Sequence, residues 1–267
     1  MSLIKAQDKV DDWVRQHELG YFNPFEILAR LAEENGELAR EISNKYGSKK
    51  KKSSEENKRI KDELGDFLFT LICMANSEEV DLGKALEETI RKYNKRDSER
   101  WRKNEKIDPL KYWKFHNMLE LKSAGNYSDL REIALDVLQR MPQPVGEVCG
   151  PISSGGKGSI EENMKYFNET ILKLIQQGYS IFNQMPFEIP MQKLKEKSGL
   201  SKEDANRKLL EEFYYPIFDS KLIKIVYFMH NWKTSHGARI ERERAIQRNI
   251  KIIDLPKNFL ESKVSPI

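Results

Sequence analysis

Two stretches decide how the first hundred residues are read: Leu31-Ala32-Glu33-Glu34-Asn35-Gly36-Glu37-Leu38 and Lys61-Asp62-Glu63-Leu64-Gly65-Asp66-Phe67. At ~100° per residue, Glu34 falls beside an apolar stripe of Ile27, Leu28, Leu31, Leu38 and Ile42. Glu63 stands the same way beside Ile60, Leu64, Phe67 and Leu71, with Asp66 one turn further along that edge. If the two stripes pack together, four carboxylates converge. Gathered near a core without partners, they would repel one another or take up protons. A hard divalent cation removes the conflict, and Mg²⁺, which prefers oxygen ligands and bridges to phosphates, suits the set Glu34, Glu37, Glu63 and Asp66.

Outward from these stretches, apolar residues recur at spacings of three and four up to about residue 100, which predicts an all-α N-terminal domain over 1–104. Asn23 can cap and Pro24 suits a first helical position, so one helix runs from Phe25 to about Tyr46. Gly47 ends it. The lysine run 49–52 with Ser53-Ser54 reads as a solvated loop, since no aromatic residues interleave it to make a nucleic-acid surface. Helical spacing resumes over 55–76 and again from Leu82 to Trp101.

The whole chain has 267 residues, with 46 basic and 42 acidic side chains. The resulting +4 makes no case for a nucleic-acid polymer as partner. Cys73 and Cys149 are far apart, which fits buried thiols in a reducing compartment. No apolar run reaches the ~20 residues that span a bilayer, and the start lacks a secretory apolar region, so a cytoplasmic protein away from membranes is expected.

Residues 105–143, with Pro109, Gly125 and Pro142 around a helix at Tyr127–Met141, read as a connector. From 144 to 267 the pattern changes to strand, loop and helix in alternation: an apolar run ending at Gly150-Pro151, a helix near 159–177, a strand through Phe182, a strong β run at Leu222–Met229, a helix over 237–248 and β again at Ile250–Leu255. Such alternation implies a parallel sheet covered by helices. The loop Gly150 to Gly158 can aim backbone N–H groups at an anion, but it matches neither the phosphate-loop nor the dinucleotide signature. In an open α/β sheet the functional groups gather at the carboxyl ends of strands. Asn163, the segment Asn183 to Glu188, and the segment Trp232 to Glu241 all follow such ends. Ser235, with the amides near Gly237 and Ala238, can hold a phosphate, which sets Glu241 to meet a sugar. His230 and His236 read as polar loop residues.

Both halves also resemble known families. Glu33-Glu34-Asn35-Gly36-Glu37 with Glu63-Leu64-Gly65-Asp66 resembles the acidic signature of the MazG-like, all-α nucleoside triphosphate pyrophosphohydrolases over roughly residues 15–102. The resemblance implies cleavage between the α- and β-phosphates of a nucleotide, four magnesium ligands as above, Glu33 orienting water, and Lys92, Asn94 and Arg96 meeting the phosphates. It also implies a homo-oligomer, dimer or tetramer. Residues 145–255 resemble the nucleoside 2-deoxyribosyltransferase-like superfamily and its nucleotide N-glycosidase branch, through the first loop Gly150-Pro151-Ile152-Ser153, the later Phe182-Asn183, and the Trp232, Ser235, Gly237-Ala238, Glu241 segment. This implies a Rossmann- or flavodoxin-like sheet, with Glu241 as nucleophile at the anomeric carbon and Asp219 and Glu188 as acid-base or sugar-binding groups. Gly150, Ser153, Gly155, Gly156, Asn183, Trp232, Ser235 and Gly237 would line that site. Arg239 between Ala238 and Glu241, and a long insertion from Met191 to Glu211, depart from the pattern. The expectation is a two-step enzyme that trims a triphosphate and then splits base from sugar phosphate. The alternatives are a nucleotide sensor whose second domain binds without turnover, and a purely structural helical module joined to an α/β enzyme.

Overall fold

The computed structural model describes residues 1–48, 59–97, 107–152 and 155–261, and divides into two compact units, Met1–Asn104 and Glu105–Ile267. The lysine run, the predicted helix end at Trp101 and Ser153 lie outside the described residues.

The first unit consists, among its described residues, of α1 (Leu3–Val14), α2 (Pro24–Tyr46), α3 (Ile60–Ser77) and α4 (Leu82–Asp97). α2 starts as the sequence predicts: the Asn23 side chain accepts from the amides of Phe25 and Glu26, and Glu26 reaches back to the Asn23 amide. This reciprocal cap satisfies N–H groups that no helical carbonyl can reach. α2 packs along α3, and α1 packs on α3 and α4. The apolar core is small, built on Val10, Val14 and Ile72. A polar pin supplements it. Gln7 donates to Asn76 Oδ1 (2.9 Å) and the Val80 carbonyl (2.8 Å) and accepts from the Leu82 amide, while Asn76 donates to the Tyr21 hydroxyl. One buried amide thereby fixes α1, the end of α3 and the start of α4 together. The two stripes read from the sequence are only partly covered: Ile27 is buried, but Leu28, Ile42, Leu64 and Leu68 are exposed.

In the second unit, α5 (Phe115–Ser123) and α6 (Tyr127–Gln139) precede a four-stranded sheet. Its strands are β1 (Val145–Cys149), β2 (Ser180–Phe182), β3 (Ile223–Phe228) and β4 (Lys251–Asp254), all parallel in the order β2-β1-β3-β4. α7 (Ile160–Gln176) joins β1 to β2, and α11 (His236–Gln247) joins β3 to β4. Between β2 and β3 the insertion forms α8 (Glu188–Lys197), α9 (Lys202–Leu209), a wide helical turn at Leu210–Tyr214 and α10 (Tyr215–Asp219). The stretch read as a connector supplies α5 and α6, whose Leu121, Leu130, Ile133 and Val137 lie in this unit's main core.

Strand alternation divides the sheet's two faces. Val145 and Cys149 join the core formed with α6, α10 and α11, whereas Val148 joins Phe167, Ile171 and Leu174 of α7. The helices after β1 and β3, which are neighbours, therefore depart to opposite faces of the sheet. Replacing Asn23 by alanine removes the α2 cap. It is expected to cost about 1 kcal/mol, read as a lower urea midpoint with an unchanged slope.

Candidate functional site

Three of the four expected metal ligands meet. One carboxylate oxygen each from Glu34, Glu37 and Glu63 lies within 4.8 Å of the others. The pairing of α2 with α3 brings them together, since Glu34 and Glu37 share one edge of α2 and Glu63 occupies the first turn of α3. Glu63 is fully buried, and Glu34 and Glu37 are partly exposed. Burial raises the Glu34 carboxyl above its ordinary value, and the charges of Asp66, Glu37, Glu33 and Glu63 push it further. Asp66 therefore stands close by, but it is exposed and outside the tight set. Three oxygens at mutually short distances, one of them out of water, fit a small divalent cation that keeps part of its hydration. Glu33 is turned away to an ion pair with Arg30 at 2.9 Å. The sequence reading missed Glu41, which continues the acidic edge of α2 and is buried.

A pocket of about 480 Å³ adjoins this set. Its wall includes Trp13, His17, Tyr21, Phe22, Phe69 and Arg30, and Glu34 belongs both to the pocket and to the acidic set. The Trp13 ring meets His17 and Phe69 edge to face, at 4.4 and 5.3 Å between centroids.

Residues 22–101 match the model of the MazG nucleotide pyrophosphohydrolase domain. YpjD of Bacillus subtilis (strain 168) is 46% identical over 99 residues, which make up 37% of this chain and 89% of that protein. The chain belongs to the MazG family. Two solved structures are also similar to a part of the chain. The crystal structure of Bacillus subtilis YpjD has 42% identity and a TM-score of 0.33, covering 35% of this chain and 96% of that one. A MazG protein conserved in Bacillus, described as a nucleotide pyrophosphohydrolase, has 41% identity and a TM-score of 0.31, covering 35% and 90%. The nucleotide pyrophosphohydrolase unit is thus the MazG segment, and its acidic set is suited to a metal ion. On α4 of this MazG unit, Lys92, Asn94 and Arg96 are all exposed. Lys92 and Arg96 flank the Tyr93 ring, and Arg96 is paired with Asp97 at 2.7 Å.

The second unit gathers acids of its own. Glu147 and Cys149 project from β1 to the same face of the sheet. Ala238, Glu241 and Ala245 share one face of α11, and both alanines are buried in the core that includes Cys149. Small neighbours leave Glu241 room against the sheet, on the side where Cys149 is buried. Burial raises Glu241 to about 7, with the Glu188 charge adding to the rise and the Cys149 thiol opposing it. Burial and the Glu241 charge raise Glu147 to about 8. Glu188, at the head of α8, is raised by burial against the opposing pull of Lys195. Burial, with the charges of Glu188, Glu241 and Glu147 adding to it, raises the Tyr214 hydroxyl well above its ordinary value, and that hydroxyl donates to Met191 Sδ at 3.9 Å. A charged residue between valines in a five-residue strand was the available signal for Glu147, and the sequence reading passed over it.

The other expected residues have structural tasks. Asp219 is held by Arg248 (2.6 Å) and Arg244, which keep its carboxyl below the usual range and tie α10 to α11 away from the acid cluster. Asn163 organises the glycine loop, accepting from the Lys157 amide (2.7 Å) and donating to the carbonyls of Ile152 and Gly155. The Gly156 amide donates to Thr234 Oγ1 at 3.0 Å, joining the loops after β1 and β3. Gly155 and Gly156 both have positive φ, and a Cβ would strike Thr234 at the first and Asn163 at the second, so glycine is required at both. Gly150 lies against Met229, and Gly237 is open. Ser235 caps α11 by accepting from the Ala238 amide. Asn183 accepts from the Met185 amide. Trp232 packs on Phe228, with Arg242 over both rings.

The raised acids fix the sign of a stability effect. Folded Glu147 holds a proton that the unfolded chain releases near 4.5, so its contribution is complete below that value and is lost as pH rises through about 8. Against wild type, Glu147→Gln is therefore expected to gain relative melting temperature steadily between those limits. Calorimetric scans of both proteins across that range measure it, and a pH-independent difference would contradict it.

Proposed function

We propose that the MazG unit binds Mg²⁺ through Glu34, Glu37 and Glu63, with Asp66 at the rim, and hydrolyses a nucleoside triphosphate between its α- and β-phosphates. The single observation that carries this reading is Glu34, which belongs at once to the acidic set and to the aromatic pocket. A base inserted among Trp13, Tyr21 and Phe69 leaves its phosphates beside the carboxylates. When bound, the cation neutralises phosphate charge and lowers the pKa of a water for attack on phosphorus. Glu34, Glu37 and Glu63 hold it, and the burial of Glu63 keeps that ligand fixed. Lys92 and Arg96 are our candidates for cations that meet the departing pyrophosphate. Exposed Phe25, Leu28, Leu64 and Leu68 favour a second copy of the chain against α2 and α3, giving a homo-oligomer.

For the second unit the same proposal assigns cleavage of the N-glycosidic bond of the monophosphate. Glu241 bonds to the anomeric carbon as the carbon–nitrogen bond breaks. The base leaves with that electron pair and takes a proton from solvent. A water then opens the glycosyl ester, restoring the Glu241 carboxylate and returning one proton. The strand order, the first four positions of the flavodoxin-like order, supports this reading, as does the departure of the helices after β1 and β3 to opposite faces. So does the partial exposure of Glu241, which leaves it able to touch a ligand.

A screen of nucleoside triphosphates with product masses, with and without Mg²⁺, tests both steps. The expected products are pyrophosphate and free base, and a chelator should stop both. Glu63→Gln is expected to lower pyrophosphate release by at least about 100-fold, and Glu241→Gln to stop the reaction at the monophosphate. Tight nucleotide binding by the second unit with no base released would establish a sensor instead. Trp13→Ala is expected to raise KM about tenfold with a smaller change in kcat, because it removes binding common to ground and transition states. Steady-state kinetics of pyrophosphate release measures that split.

A further inference from the structure

The second unit holds an acid that the reaction outlined above does not use. Glu147 is 2% exposed, and its Oε2 is buried with no hydrogen-bond partner. Glu147 and Cys149 lie two residues apart on one face of β1, Cys149 packs in the same core as Ala238 and Ala245 of α11, and Glu241 shares the helix face of those alanines, so the strand presents Glu147 toward the side of α11 that carries Glu241. We propose that Glu147 is a positioning residue for Glu241: a second, fully enclosed carboxyl that keeps one proton in the acid cluster and leaves Glu241 to carry the charge to the ligand. The proposal rests on the glycosidic reading of Glu241.

Two facts separate this arrangement from its alternatives. Among the described residues, the set of three acidic, cysteine or histidine groups with mutually close ligand atoms is Glu34, Glu37 and Glu63, in the other unit. The cluster around Glu147 lacks that spacing, so a proton must relieve its repulsion. Glu241 is partly exposed and Glu147 is not, which orders their roles. The groups facing the pair are Cys149 on β1, Glu188 with Lys195 on α8, and Tyr214 on the wide helical turn. Glu241 meets solvent and Glu147 does not, so the first proton lost belongs to Glu241 and Glu147 keeps the second. Above about 8 a second charge forms next to the nucleophile and repels an anionic ligand.

The test uses the full chain with a nucleoside monophosphate, following base release against pH. Wild type should rise through about 7 and fall above about 8. Glu147→Gln should keep the rise and lose the fall, while Glu241→Gln should release no base. An alkaline fall unchanged in Glu147→Gln, with Glu241→Gln inactive, overturns the role of Glu147 and leaves the glycosidic reading intact. Base release that persists in Glu241→Gln overturns the glycosidic reading. A second measurement needs neither turnover nor the Glu147 variant. In ¹³C NMR of the side-chain carboxyls, Glu147 should be protonated at neutral pH, and its midpoint should drop in Glu241→Gln because the neighbouring charge is gone. An ionised Glu147, or a midpoint indifferent to that substitution, would overturn the pairing.

Discussion

A carboxylate taken out of water must find a cation, a proton or a donor, and both units are organised by the way they meet that demand. In the first unit Glu34, Glu37 and Glu63 stand at distances a single ion can span. In the second, burial raises the proton affinity of Glu147, Glu188 and Glu241, which does the same job. The difference follows from the scaffold. Two long helices set side by side can aim three acids at one point, whereas a strand, a helix head and a crossing helix deliver acids from separate directions.

The first unit shows what this costs. The edge where α2 meets α3 is given over to acids, so the unit relies on a short apolar core and on the Gln7–Asn76 pin rather than on a broad packed interior. A buried amide that makes all its hydrogen bonds specifies one arrangement of three helices, and it leaves outer apolar residues of α2 and α3 uncovered. The aromatic pocket forms where α1 and the turn after it lie over α3, and its wall includes Glu34.

Much of this was legible in the residues, for identifiable reasons. Asn23-Pro24 announced α2 because capping is local chemistry, and the two acidic stretches announced the gathering of Glu34, Glu37 and Glu63, though not the exclusion of Asp66, because helical period is a strong rule. The apolar runs at 145–149 and 222–229 announced strands. Harder to read was anything that depended on a distant partner. Asp219 looked available because Arg244 and Arg248 lie a helix away. Glu33 looked like part of the acid group because only the fold turns it toward Arg30. Residues 105–143 looked like a connector because their proline and glycine content hid the apolar faces that α5 and α6 lay on the sheet's core. The Met191–Glu211 insertion read as a departure, yet it leads into the turn that brings Tyr214 to the acids.

Asp219 and Glu147 together show how a site is recognised from physics when position in the sequence misleads. Asp219 is satisfied: two guanidinium groups lower its proton affinity and fix α10 to α11, so little of its charge remains to act on a ligand. Glu147 is the reverse, an acid in a five-residue buried strand with one oxygen unpaired. An apolar residue there would pack without penalty. The strand instead retains a group whose burial destabilises the fold as pH rises. Such a cost is characteristic of residues kept for what they do to a neighbour, and the neighbour within reach of its charge is Glu241.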